Sequence, residues 1–66
     1  MSKIRELRKG LKLSISQLSQ EAKVNASVIS WVELGKLAAS PKFRAALADF
    51  YKKPESILFH ETGFAR

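Results

Sequence analysis

Residues 14 to 36 limit the fold more than any other stretch, because two helical patterns meet there across only three or four residues. Ser14 is a suitable N-cap, and Leu18 with Ala22 forms a one-turn apolar pair behind it. After "AKVN" the pattern restarts. Asn25 is placed to cap a helix that runs to about Leu34, with Ile29 and Val32 facing inward and Gly35 as the C-terminal stop. In a chain of 66 residues without cysteine, neither a disulfide nor a thiolate metal site can hold such short helices. They must be held by packing, aided by self-association, in one small domain, 1–66, too small for a large catalytic cleft.

A three-to-four-residue turn between two amphipathic helices is the helix-turn-helix layout, and the flanking segments supply helices to pack against it. Ser2 reads as the N-cap of a first helix in which Ile4, Leu7 and Leu11 recur at helical spacing until Gly10 loosens or ends it. Ser40 followed by Pro41 reads as cap and first-turn proline of a fourth helix that buries Leu47 with Phe50 or Tyr51. Pro54 opens a short fifth helix, "PESILF", whose apolar content is Ile57, Leu58 and Phe59. The expectation is an all-α, compact five-helix domain, its core about 2–59, with 60–66 as a C-terminal tail too aperiodic to assign.

The formal charge of +6 is the first sign of function, since a basic surface attracts phosphate polymers and releases their counterions. Five of the twelve basic residues, Lys3, Arg5, Arg8, Lys9 and Lys12, lie in the first twelve positions, opposed only by Glu6. A charged face kept for solubility would look the same. The start "MSKIRELRKG" is not followed by the apolar run of a signal peptide, and no stretch approaches a membrane span, so a cytoplasmic location is expected. His60 is the only histidine and has no second ligand or nucleophile at useful spacing. No catalytic, metal or cofactor site is expected.

In order and spacing, "IRELR", "LSISQLS", "VNASVISWVELGK" and "LADFYKKPESILF" resemble the lambda-repressor-like Cro/C1 (XRE) helix-turn-helix family, over Ile4 to about Phe59. The resemblance implies sequence-specific binding of duplex DNA by a homodimer on a near-palindromic operator, with the third helix in the major groove. By direct alignment the groove-facing positions are Asn25, Ala26, Ser27, Ser30 and Trp31. Ser14 and Ile15 would lie at the phosphate backbone, where helix N-terminal N–H groups bind an anion, and Lys36, with Lys42 and Arg44, would add phosphate charge. It also implies an ion pair, Arg8 with Glu33, tying the first helix to the end of the third. Leu58, Phe59 and Phe64 are candidate dimer contacts, although Leu58 and Phe59 could equally close the monomer core.

The sequence also departs from that pattern. Ile15 stands where Gln is common, and Lys23 stands at the turn where Gly is common; a non-glycine residue at positive φ costs on the order of 1 kcal/mol. Only Asn25, occupied as a cap, belongs to the Arg, Asn and Gln set that reads base edges bidentately. Serine hydroxyls, Ala26 or Val28 methyls against thymine, and groove shape remain. Trp31 either tucks against the second helix as core or projects outward with Ile15, Leu34 and Leu37 as an apolar patch typical of a protein-binding face. Two functions therefore stand side by side: a phage- or mobile-element-type Cro-like transcriptional repressor, and a helix-turn-helix-derived modulator or antirepressor that docks on a second regulator protein.

Overall fold

A computed structural model describes residues 2–66. It contains five helices, α1 Lys3–Gly10, α2 Ile15–Ala22, α3 Ala26–Glu33, α4 Pro41–Tyr51 and α5 Glu55–Leu58, and no strand among the described residues. The domain is all-α, as expected, and measures 26 × 22 × 22 Å. Four of the helices start where a side chain can accept from the free N–H groups of the first turn. Ser2 caps α1 through Arg5 N–H, Ser14 caps α2, Asn25 caps α3, and Ser40 caps α4 through Phe43 N–H with Pro41 in the first turn.

The inward faces of these helices meet in one core. Ile4 of α1, Leu18 of α2, Ile29 and Val32 of α3, Leu47 of α4 and Leu58 of α5 are fully buried, each helix contributing the residue that its apolar period aims inward. Phe43 and Phe59 extend this core and pack edge to face at 6.4 Å between ring centroids. Ala22 and Val24, half-buried, pack against it from the α2–α3 connection.

One apolar assignment differs from the sequence reading, and one pair of alternatives is decided. Leu11, placed on the apolar stripe of the first helix, is exposed: α1 ends at Gly10, Leu11 is its C-cap, and Lys12 turns the chain away in the left-handed region at φ 58°. Leu58 and Phe59, offered as dimer contacts, are inside the monomer core and cannot meet a partner, which leaves Ile57 and Phe64 exposed at that end.

Residues 60–66, which carry no periodic signal, form with Phe59 a tight turn that docks on the body. Phe59 and Ala65 make an isolated antiparallel bridge, and His60 N–H donates to Phe64 C=O at 2.8 Å. Ala39 N–H donates to Gly63 C=O at 2.8 Å, and Lys3 N–H donates to Arg66 C=O, so this turn joins the exit from α3 to the start of α1. Gly63 is buried at φ 96°, and a Cβ there would lie 2.8 Å from the Ala39 carbonyl oxygen. Only glycine fits this approach.

Candidate nucleic-acid interface

The α2–α3 pair presents the surface on which the sequence expectations converge. At its entrance Ser14 Oγ accepts from Gln17 N–H at 3.0 Å while Gln17 Oε1 accepts from Ser14 N–H at 2.8 Å, a reciprocal capping box. The N–H groups of Ile15 and Ser16 stay at the mouth of the helix without an intrahelical acceptor. Ile15 itself is half-buried and packs on the core, so it belongs only in part to the outward patch.

Between the two helices the chain needs one left-handed residue, and Lys23 supplies it at φ 58°, ψ 47°. The turn is therefore the glycine type carried out by a lysine, and its strain is offset locally. Val24 N–H donates to Ser19 C=O at 3.1 Å, and Ser19 Oγ donates to Val24 C=O, a contact that requires the small residue at position 19. Asn25 Oδ1 then accepts from Ser27 N–H at 2.8 Å and Val28 N–H at 3.2 Å. That oxygen is occupied as a cap, so Asn25 keeps only its NH₂ group for a ligand.

Helix α3 has two sharply different sides. Ile29, Val32 and Glu33 are buried, while Ser27, Trp31 and the C-cap Leu34 fall in the opposite sector and face solvent. Trp31 is 53 % exposed and Leu34 56 %, so Trp31 takes the outward position rather than the core one. Ala26 and Ser30 are half-buried on the flanks, and Ala26 is less available than the alignment implied. The helix ends in a Schellman closure: Lys36 N–H donates back to Trp31 C=O at 2.9 Å across Gly35 at φ 75°. This reversal sets the exposed Lys36 and Leu37 directly after the Trp31–Leu34 sector.

The orientation of α3 is held by a buried ion pair. Arg8 Nε and Nη2 donate to the two carboxylate oxygens of Glu33 at 2.8 and 3.0 Å, and Arg8 Nη1 donates to Leu13 C=O at 2.8 Å. The hydrogen bond to Glu33 holds the Arg8 pKa above its ordinary value, more than offsetting the burial that would lower it. Tyr51, whose hydroxyl faces the Ile4 carbonyl at 3.4 Å, has its pKa pushed up to about 12, chiefly by burial and further by the Glu33 carboxylate.

This pair also shapes the surface charge. Between Glu21 and Asp49 the only acidic residue is Glu33, which is enclosed and neutralised. The exposed charges of the turn, the exit loop and the start of α4 are Lys23, Lys36 and Lys42, all positive. A shallow groove between the α2–α3 turn and α4 brings Lys23 and Lys42 together beside Asn25, Val28, Ser40 and Phe43. Lys23 was noted in the sequence only as a turn residue; its meeting with a lysine nineteen positions away has no local signal. Arg44, expected to supply phosphate charge, is half-buried, donating to Ala39 C=O at 3.1 Å and lying 3.6 Å from Glu55. It is committed to holding the exit loop.

Among the described residues no group of His, Cys, Asp and Glu side chains could hold a metal ion, and no helix is long and apolar enough to cross a membrane. Compared with models of known protein families, with curated proteins and with solved structures, the chain matches none of them.

Proposed function

We propose that this chain is a small sequence-specific regulator of transcription that binds duplex DNA through α3, working in the cytoplasm as a Cro-like repressor of the kind carried by phages and mobile elements. One observation carries the reading: an exposed helix face, set on two helices joined by a short turn, with the exposed lysines Lys23, Lys36 and Lys42 on the turn, the exit loop and the start of α4. In the bound state α3 enters the major groove, with Ser27, Ser30, Trp31 and the Asn25 amide toward the bases. The N-terminus of α2 at Ser14 and Ile15 meets one phosphate run, and Lys36, Lys23 and Lys42 meet the other. The resemblance to the Cro/C1 family supports the same placement. Binding as a homodimer doubles a contact surface that is small for one copy, and Ile57 and Phe64 are the side chains left to make that contact.

The alternative, a module that docks on a second regulator protein, is favoured by one feature, the exposed apolar sector of Trp31, Leu34 and Leu37. Selection from a random duplex library at near-physiological salt separates the two. A two-fold-symmetric motif, bound about a thousandfold more tightly than scrambled DNA, is expected for the regulator. Weak, motif-free binding with a steep salt dependence would refute it in favour of the docking module.

A further inference from the structure

The exposed sector of α3 combines two properties that together select a ligand chemistry. It is apolar at its centre, where Trp31 and Leu34 bracket Ser27 and Leu37 follows across the Gly35 reversal. Positive charge stands at both ends of this helix face: Lys23 and Lys42 line the groove beside Asn25 and Val28, and Lys36 follows Leu34, with Glu33 shut away against Arg8. An apolar strip between positive charges is the complement of a major groove, where phosphates border a floor of base edges.

On that floor the apolar groups are the C5 methyls of pyrimidines. Apart from ring C–H positions, the remaining base-edge groups are hydrogen-bond donors or acceptors, and covering one with an indole or an isobutyl side chain removes its water without replacement. Trp31 and Leu34 therefore favour DNA in which methyls take their place. The indole N–H sharpens the choice, because it only donates. Thymine sets its O4 acceptor beside the methyl, whereas cytosine sets an amino donor there.

We propose that Trp31 and Leu34 read pyrimidine C5 methyl groups in the major groove, so that the duplex this chain selects is rich in thymine, with 5-methylcytosine as the weaker source of the same group. The proposal rests on the DNA-binding reading and names the chemical group which that reading leaves open.

The test uses the duplex enriched from the random library, prepared as selected, with uracil in place of thymine, and with 5-methylcytosine in place of cytosine. Burying one methyl is worth roughly fourfold in affinity, so two or more contacts predict a loss of about tenfold or more on uracil substitution. The salt slope should stay unchanged, since no phosphate contact is altered. Trp31→Ala, at an exposed position, should narrow the difference between the thymine and uracil duplexes to roughly the fourfold that one remaining methyl contact at Leu34 supplies. A gain on cytosine methylation alone, with uracil neutral, would overturn the proposal, because the thymine methyls would then carry none of the affinity. Equal binding of all three duplexes by the unmodified chain would overturn the proposal and leave DNA binding intact. Failure to enrich any duplex would remove both.

Discussion

Replacing Arg8 by Ala should cost half or more of this domain's stability, and replacing Glu33 by Ala should cost less, because the two side chains differ in their way out. The Glu33 side chain is 3 % exposed and that of Arg8 9 %, with two charge-assisted hydrogen bonds between them. Removing one partner of such a buried pair leaves a charge without compensation and costs about 3–5 kcal/mol. For 66 residues the total stability to set against this is about 3–10 kcal/mol. Without Arg8, the short Glu33 side chain has no route to solvent, so Arg8→Ala should fall near 5 kcal/mol, about the upper end of that range. Without Glu33, the longer Arg8 can swing its head outward while its stem stays packed, and it keeps its bond to Leu13 C=O, so about 3 kcal/mol is expected. The double variant Arg8→Met with Glu33→Leu should recover most of the loss, since apolar replacements remove the desolvation term together with the attraction. Urea denaturation followed by circular dichroism, analysed as a double-mutant cycle, gives all three values. Two results would refute the reasoning: a single variant within about 1 kcal/mol of the parent, or a double variant no more stable than the worse single one.

Lys23→Gly relieves the left-handed strain but frees the unfolded chain, and a net gain of about 0.5 kcal/mol is expected in the same denaturation assay. Gly63→Ala should lose about 2 kcal/mol or more, because the new Cβ meets the Ala39 carbonyl at positive φ; early amide exchange at Ala39 would show the turn detaching. Tyr51 is the only tyrosine, and its folded pKa is raised from an ordinary value of 10.0 to about 12. The neutral phenol is thus the favoured form in the folded state, its stabilising share is complete below pH 10, and it is lost as pH climbs toward 12. Tyr51→Phe should make stability fall less across that interval, and a phenol titrating at its ordinary value in the parent would contradict the burial.

Much of the frame was legible because it depends on neighbours in sequence. Ser2, Ser14, Asn25 and Ser40 each sit immediately before a helix and bond an N–H two or three residues on, so the caps and element order follow from local chemistry. Core positions with a clear helical period, Leu18, Ile29, Val32 and Leu47, were legible for the same reason. Leu11 was misplaced because the apolar period of Ile4 and Leu7 continues to a residue just past the point at which the helix stops. The docking of residues 59–66 was not legible, since its bonds run to Ala39 and Lys3, far away in the chain.

For the candidate interface the division is sharper. Sequence alone determined which residue types α3 can offer, an absence of Arg and Gln and the presence of two serines and one tryptophan, and it paired Arg8 with Glu33 through family resemblance. Only the tertiary structure decided which way Trp31 points, because an eight-residue helix with apolar residues at 28, 29, 31 and 32, followed by Leu34 at its C-cap, has two candidate inward sectors. Packing of Ile29, Val32 and Glu33 against the core and Arg8 selects one of them and turns Trp31 and Leu34 outward. The same packing shuts the one negative charge of α3 away from solvent and sets Lys23 and Lys42 along one groove, because electrostatics act through space while the chain order separates the groups by many residues.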